Sequence, residues 1–331
     1  MGAMRWGEWG TAVARTLLTI KPGESFLILA DTWSNMEAAE ACFVAGINEG
    51  AMAQLLVLPR AVASDTRVFK AAEGAIMGAD VILSLAGLSS RLEDVTVEAR
   101  KQGARMTSCD LRNAGEWVLV GLLDTDYPLM LDAAEKIAKL WEDTTVCHVT
   151  SSAGTDISFQ LKGRPCDLGD GRVVGPGETD FFPGVTPSIA PVESTVNGTI
   201  VVDGTVASPY SVTVKPIILH LEQGVITEVE GGSDARAFQE LLEASGEATA
   251  FHMAHFNIGI NAAGKVGNSM EEDEMAMGVV TFGFGRQDPD FKGTVGPCSV
   301  HVDVTLRAPN LQLDGVPMSE DGRLNPEFGL A

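Results

Sequence analysis

The stretch Ser25-Phe-Leu-Ile-Leu-Ala-Asp31 begins the pattern that decides the fold of the first half of the chain. It is a short apolar run, and residues 35–50 follow it with helical spacing. Three more apolar runs occur at 54–59, 80–85 and 105–110, with helical patterns at 68–77, 93–103 and 127–140. Apolar runs that alternate with helices are typical of a parallel sheet covered on both faces. The pattern predicts an α/β fold whose first domain, residues 1–145, is Rossmann-like and doubly wound.

This predicted domain lacks the glycine motifs that bind phosphate groups. No G-x-G-x-x-G follows the first strand, and no G-x-x-x-x-G-K-[ST] occurs in the chain. Asp31 and Asp110 end predicted strands, where ligands often bind in open α/β sheets, but isolated aspartates are more often turn or capping residues. We therefore interpret the first domain as a scaffold.

From residue 144 the sequence consists of short β-rich segments separated by Gly and Pro. This pattern predicts a second domain, residues 146–331, that is a mixed α+β structure with mainly antiparallel strands. One helix is expected at 233–245. The polar residues 310–331 are expected to form an irregular tail.

Composition excludes several classes of function. The 331 residues include 23 Lys and Arg against 45 Asp and Glu, a formal net charge of −22. Such acidity argues against nucleic acid or an anionic membrane as the partner. The five cysteines are scattered without a C-x-x-C pair, which argues against a disulfide framework and a thiolate zinc site. No signal peptide or membrane span is expected, so the sequence predicts a cytoplasmic protein.

The sharpest chemical feature is Ser299-Val-His301-Val-Asp303-Val-Thr305. It alternates with period two, so His301 and Asp303 are expected on one face of a strand. An imidazole and a carboxylate placed in this way suit shared coordination of a metal. A core histidine that hydrogen-bonds to its neighbouring aspartate is the alternative.

A second feature is the pair His252 and His255, which on a strand would point to opposite faces. Two histidines and one carboxylate with open positions form the facial triad of non-haem Fe(II) oxygenases. The same set can bind Zn²⁺ for hydrolysis. The acidic run at residues 271–274 is interpreted as a solvated face.

Over residues 150–305 the chain resembles the thermophilic metalloaminopeptidases of the aminopeptidase T type. The resemblance implies the fold of the second domain and a homo-oligomer. Matching motifs are Gly154-Thr-Asp-Ile-Ser-Phe159, Phe182-Pro-Gly184, Ala190-Pro-Val-Glu193, Val196-Asn-Gly-Thr-Ile-Val-Val-Asp-Gly204, Ala254-His-Phe-Asn-Ile-Gly259, Asp273-Glu274 and His301-Val-Asp303.

The departures from the peptidase pattern concern its two-metal site. Thr186 stands where the peptidases carry a glutamate ligand, His255 where they carry a bridging glutamate, and Thr281 where they carry a histidine. Only His301 and Asp303 are retained. Hydroxyl groups are poor replacements for these ligands, so a two-metal peptidase mechanism is not expected.

One branch of this superfamily, the 2,5-dihydroxypyridine 5,6-dioxygenases, is similar in its single-metal pattern. The resemblance implies one Fe(II) bound by His255, His301 and Asp303, with His252 as the reserve ligand, and a small-molecule substrate with O₂. The function predicted is a mononuclear non-haem ring-cleaving dioxygenase acting on a hydroxylated N-heterocycle. Candidates for lining the substrate pocket are Glu178, Thr186, Ser188 and Thr281.

Two alternatives stay open at this point. The first is a metallohydrolase, an aminopeptidase or amidase, using Zn²⁺, Co²⁺ or Mn²⁺. The second is a binding protein on a decayed peptidase fold, without a metal. No catalytic acid or base is assigned. Glu193 and Asp156 lie in family-like motifs and are expected to hold the scaffold.

Overall fold

The computed structural model describes residues 2–59, 70–86, 93–109, 117–182, 184–207 and 209–330. The chain divides into two compact units, which are treated separately below. Unit 1 comprises Met1–Thr125 and Gly169–Gly184, and unit 2 comprises Asp126–Leu168 and Val185–Ala331. This division differs from the boundary expected at residue 145.

The elements are numbered along the chain. Helices are α1 (Gly2–Ala12), a π-helical turn (Val13–Leu17), α2 (Met36–Asn48), α3 (Glu73–Met77), α4 (Asp94–Lys101), α5 (Trp117–Leu123), α6 (Tyr127–Asp143), α7 (Ser233–Ala244) and α8 (Met270–Met275). Strands are β1 (Ser25–Asp31), β2 (Met52–Leu58), β3 (Val81–Ser84), β4 (Arg105–Ser108), β5 (Val146–Thr150), β6 (Asp156–Gln160), β7 (Cys166–Asp167), β8 (Thr179–Phe181), β9 (Ser188–Ile189), β10 (Asn197–Val202), β11 (Thr205–Ala207), β12 (Tyr210–Val212), β13 (Ile217–Glu222), β14 (Val225–Glu230), β15 (Met253–Ile258), β16 (Val280–Gly285), β17 (His301–Leu306), β18 (Asn310–Leu313), β19 (Val316–Glu320) and β20 (Arg323–Leu324). Within the described residues, no helix has the length and apolar character needed to cross a bilayer.

Unit 1 contains a parallel sheet with strand order β2-β1-β3-β4-β8. The predicted parallel sheet is confirmed, and β1 has the predicted bounds. Strand β8 comes from the glycine-rich segment 169–184, which pairs with β4 and so belongs to unit 1 rather than to the second domain. Asp31 is a turn residue as interpreted, because its Oδ1 accepts hydrogen bonds from the backbone of Trp33 and Ser34. Asp110 lies outside the described residues.

Unit 2 contains two antiparallel sheets. The eight-stranded sheet has the order β14-β13-β10-β6-β5-β18-β19-β20, and the seven-stranded sheet has the order β12-β11-β17-β16-β15-β9-β7. Phe159 of β6 contacts Phe256 of β15 and Phe282 of β16, with ring centroids 4.9 and 6.4 Å apart. One face of the seven-stranded sheet therefore packs in an aromatic core. Because side chains alternate along strands, their sequence neighbours project from the opposite face.

The expectation of an irregular tail at 310–331 is wrong. Strands β18 and β19 form a hairpin around Asp314-Gly315, and β18 pairs with β5 in the eight-stranded sheet. Leu311 and Leu313 alternate with polar residues and are buried. Asp-Gly between two short alternating runs is a strong hairpin signal, since both residues adopt positive φ. The hairpin was not predicted from the sequence because the segment is rich in polar residues.

The paired tail makes a prediction about stability. Replacing Leu311, which is fully buried, by alanine should lower the free energy of unfolding by about 2–5 kcal/mol, since a cavity forms in the core. Val316 in the same hairpin is 64% exposed, so Val316→Ala should change it by less than about 0.5 kcal/mol. Urea unfolding followed by circular dichroism measures both. Equal, negligible effects would mean that the tail is not part of the sheet.

Candidate metal centre

The candidate ligands lie on two strands of unit 2, β15 and β17, which flank β16. His255 of β15 pairs with Gly283 of β16, and Gly283 pairs with Asp303 of β17. His301 lies two residues before Asp303 and so shares its face. Since adjacent strands are about 4.8 Å apart, the side chains on β15 and β17 meet by reaching across β16.

The donor atoms of these side chains converge. Asp303 Oδ1 lies 3.3 Å from Nε2 of His301 and 3.6 Å from Nε2 of His255. One ligand atom from each of the three residues lies within 4.8 Å of the others. The prediction that His301 and Asp303 share a strand face is confirmed. Two imidazoles and one carboxylate are a donor set that suits a single first-row transition metal.

The hydrogen bond of His301 determines which of its nitrogens is available to a metal. Nδ1 lies 2.6 Å from the backbone carbonyl of Arg286. A carbonyl oxygen can only accept, so Nδ1 carries a proton, and whenever the ring is neutral its lone pair lies at Nε2. That lone pair is directed towards the Asp303 carboxylate, an arrangement that needs a proton or a cation between them. Burial lowers the pKa of His301, but Asp303 and the Arg286 carbonyl outweigh it and raise the pKa above its ordinary value.

The carboxylate of Asp303 fits a bound cation. Its Oδ1 is buried and makes no hydrogen bond of regular geometry with any described residue, although Nε2 of His301 lies 3.3 Å away. Burial raises the pKa of this carboxyl, but the charges of His301 and His255 outweigh burial and hold it below its usual range. An ionised, desolvated oxygen without a hydrogen-bond donor is costly unless a positive charge satisfies it. The residues present therefore fit a metal.

The imidazole of His255 stacks near two other rings, those of Phe291 and His301. The ring of Phe291 lies on one side, with a centroid distance of 5.7 Å and an interplanar angle of 24°. The ring of His301 lies nearly parallel to it at 5.3 Å and 10°. His255 itself is 8% exposed. This packing restricts sideways motion of the ring and shields it from water.

The interpretation of residues 271–274 as a solvated face is wrong. Glu272, Asp273 and Glu274 lie on α8 and are buried. Glu272 accepts a hydrogen bond from the backbone of Lys265, and Asp273 accepts one from the hydroxyl of Tyr210. The run is flanked by the apolar residues Met270 and Met275, which are also buried and were the available signal of burial.

Glu274 lies beside the candidate centre. Burial, followed by the charges of Asp303 and Glu271, raises its pKa well above the ordinary value, while a hydrogen bond with the Asn257 side chain opposes the rise. The raised pKa makes Glu274 easier to protonate than an ordinary glutamate, whereas the pKa of Asp303 is lowered, so Asp303 keeps its charge more readily than Glu274. Glu274 and Asn257 were not identified from the sequence, because their proximity to His255 and Asp303 arises from tertiary packing.

The other predicted site residues occupy different positions. Thr186, Ser188 and Thr281 belong to unit 2 and are buried, and Ser188 lies opposite Asn257 on the neighbouring strand. The Oγ1 atoms of Thr186 and Thr281 have no hydrogen-bond partner among described residues. His252 lies just before β15 and outside the converging group. Glu178 belongs to unit 1, where its carboxylate accepts hydrogen bonds from the backbone of Val174 and Gly175.

A buried network fixes the loop that supplies Phe291 and the Arg286 carbonyl. The Glu193 carboxylate forms an ion pair with Arg164 and accepts hydrogen bonds from Gln287 and from the backbone and hydroxyl of Thr294. Gln287 also donates to the backbone carbonyl of Ala254, next to His255, at 2.7 Å. The contacts support the expected scaffold role of Glu193. Asp156 is exposed and contacts His148 at 2.8 Å.

Elsewhere in the described chain, His220, Glu228 and Glu230 also place three possible ligand atoms together. His220 already contacts Glu230 at 2.7 Å and Thr199 at 3.2 Å, and both glutamates are exposed. Exposed groups with these contacts are satisfied without a metal. The His255 group differs because the Asp303 oxygen is buried without a hydrogen-bond donor.

Comparison with known proteins identifies the family. The family model for 2,5-dihydroxypyridine 5,6-dioxygenase (NicX) matches residues 11–326. The chain belongs to this family. A family relative named 2,5-dihydroxypyridine 5,6-dioxygenase, from Pseudomonas putida KT2440, is 27% identical over 209 residues. That match covers 60% of this chain and 58% of the relative, so the chain spans less than two thirds of the relative's length.

Solved structures of the family and its relatives support the fold. The structure of 2,5-dihydroxypyridine dioxygenase from P. putida KT2440 aligns with a TM-score of 0.83 at 20% identity, covering 99% of both chains. Wild-type AmpT from Thermus thermophilus aligns with a TM-score of 0.71 at 15% identity, covering 98% of this chain and 100% of that chain. The resemblance inferred from the motifs and the predicted fold class are both confirmed.

The Glu193 network makes a pH-dependent prediction. Burial raises the pKa of Glu193, but hydrogen bonds from Thr294 and Gln287 outweigh it and hold the pKa below its ordinary value. The stability that the carboxylate contributes is therefore present above the unfolded-state pKa and lost as pH falls through the folded-state pKa. Glu193→Gln should lower the free energy of unfolding by about 1–3 kcal/mol at pH 7, because Arg164 loses its partner.

Chemical denaturation between pH 7 and pH 3 measures this effect, with Glu240→Gln on the exposed face of α7 as the matched control. The control should change the free energy of unfolding by less than about 0.5 kcal/mol at all pH values. The difference between wild type and Glu193→Gln should shrink towards acid pH. A difference that is constant across this range would contradict an ionised Glu193 in the folded protein.

Proposed function

We propose that this chain is a mononuclear non-haem Fe(II) dioxygenase that opens the ring of a hydroxylated N-heterocycle such as 2,5-dihydroxypyridine. His255, His301 and Asp303 would hold the ion. A small-molecule substrate and O₂ are the partners that this activity requires. Self-association of the chain stays a prediction.

The observation that carries the proposal is the convergence of two imidazoles on the buried Oδ1 of Asp303, which makes no hydrogen bond of regular geometry with a described residue. A set of two histidines and one carboxylate leaves coordination positions open, as in non-haem Fe(II) oxygenases. Membership of the 2,5-dihydroxypyridine 5,6-dioxygenase family supports the same chemistry. When bound, Fe(II) supplies a redox-active centre through which an electron-rich ring and O₂ can react.

The protein's own residues would orient the ligands and limit the access of water. The Arg286 carbonyl keeps the proton on Nδ1 of His301, so Nε2 is available as a ligand. Phe291 covers one face of the His255 ring. The pKa of Glu274 is raised and that of Asp303 is lowered, which favours Asp303 as the carboxylate that binds the ion. These contacts would hold the site before substrate arrives, which reduces the reorganisation that the reaction requires.

The residues that would line the substrate pocket are a further part of the proposal. Thr186 and Thr281 have buried hydroxyls without partners among the described residues, which supports a role in binding polar groups of a ligand or ordered water. Ser188 donates to the Thr186 carbonyl at 2.9 Å and would help to shape that segment. Glu178 has weaker support, because its carboxylate is engaged with the backbone of its own turn.

Metal binding tests the ligand assignment. Protein freed of metal and titrated with Fe(II) under anaerobic conditions should bind one ion per chain. His255→Ala and His301→Ala should each lose this binding, since each removes one of three donors. His252→Ala is the matched control, because His252 lies outside the converging group, and it should retain one ion.

Oxygen consumption tests the reaction. The Fe(II)-loaded protein should consume one O₂ per molecule of 2,5-dihydroxypyridine, measured with an oxygen electrode, with loss of the aromatic absorbance. His252→Ala should behave as the wild type, and His301→Ala should consume none. If the iron-loaded protein consumes no O₂ with any hydroxypyridine, the proposal is contradicted. It is also contradicted if the protein loaded with Zn²⁺, Co²⁺ or Mn²⁺ instead of iron cleaves amides under anaerobic conditions.

A further inference from the structure

Gly283 occupies the centre of the strand that the metal ligands cross. It lies on β16 and pairs with His255 on one side and Asp303 on the other. A Cβ atom at this position would lie 2.9 Å from Oδ1 of Asp303, and closer still to Cε1 and Nδ1 of His255. All three approaches are far shorter than a van der Waals contact, so the imidazole and carboxylate occupy the volume that any side chain here would need.

The backbone of β16 does not itself demand glycine at this position. Gly283 is absent from the residues with positive φ, whereas Gly285 two residues later has a φ of 91°. An alanine in place of Gly283 could therefore adopt the same backbone conformation without strain. The need for glycine comes from the side chains above it, not from the conformation of the strand.

The His255 ring cannot accommodate a Cβ atom by a small shift. The rings of Phe291 and His301 lie roughly parallel to it, with centroids 5.7 and 5.3 Å away, and the edge formed by Nδ1 and Cε1 faces Gly283. To avoid a Cβ atom, the imidazole must rotate out of this position, which moves Nε2 away from Asp303. A side chain can make this movement without unfolding the strand, because the clash is with the end of the side chain.

We propose that Gly283 is the positioning residue of the metal centre: its missing side chain lets the His255 imidazole reach across β16 to join Asp303 and His301. The inference rests on the metal site of the proposed function, but not on the substrate or on ring cleavage. It assigns a role to a residue that holds no donor atom.

The proposal predicts opposite effects of Gly283→Ala on the fold and on the metal. The free protein should be as stable as the wild type or slightly more so, since alanine restricts the unfolded chain more than glycine does. Affinity for Fe(II) should fall by more than about 100-fold, beyond the usual effect of disturbing a residue outside the ligand set. Gly7→Ala is the matched control, because no atom lies within 4 Å of a Cβ at position 7.

Three measurements on the full chain test this inference. Anaerobic titration with Fe(II), and with Co(II) as a spectroscopic probe, measures binding to the wild type and both variants. Thermal unfolding of the metal-free proteins measures the fold. A crystal structure of metal-free Gly283→Ala locates the His255 ring, which should be rotated away from Asp303 while β15, β16 and β17 keep their pairing.

The outcomes separate this inference from the proposed function. Wild type that binds one ion but opens no ring would remove the proposed reaction and leave the role of Gly283 intact. Gly283→Ala that binds iron as tightly as Gly7→Ala, or whose His255 ring keeps its wild-type position over β16, would overturn the inference. Loss of metal together with a large loss of thermal stability would also overturn it, because the glycine would then serve the fold.

Discussion

The site depends on the alternation of side chains along β15, β16 and β17. Phe256 and Phe282 point into the aromatic core between the sheets of unit 2, and their sequence neighbours His255 and Gly283 must point the other way. Packing of the core therefore fixes which face carries the donors. A shift of one residue in β15 or β17 would turn a histidine into the core, and a shift in β16 would turn a phenylalanine to the site in place of Gly283.

The metal centre is supported by interactions that lie outside the donor set. Glu193 and Gln287 anchor the loop that carries the Arg286 carbonyl and Phe291, and Gln287 also binds the carbonyl before His255. Helix α8 brings Glu274 close enough to Asp303 for their charges to interact. The donor side chains are thus oriented by groups fixed elsewhere in unit 2. This reduces the conformational entropy that these side chains would lose when an ion binds.

Local patterns in the sequence predict much of this architecture. Period two places His301 with Asp303, and alternating runs predict β1 and the parallel sheet of unit 1. Pairing between distant segments could not be predicted in this way. The alignment of His255, Gly283 and Asp303 depends on the register of three strands, and no local signal marks Gly283 among the many glycines of the chain. Burial of α8 and β18 was missed because polar composition was taken to mean exposure.

The central claim is that one ion is held across a glycine by donors from two strands. The most direct measurement is a crystal structure of the protein loaded anaerobically with Fe(II), with anomalous diffraction recorded at the iron edge. We expect a single strong peak between Nε2 of His255, Nε2 of His301 and Oδ1 of Asp303. Two peaks at this face of the sheet, or iron held only by His220, Glu228 and Glu230, would contradict it.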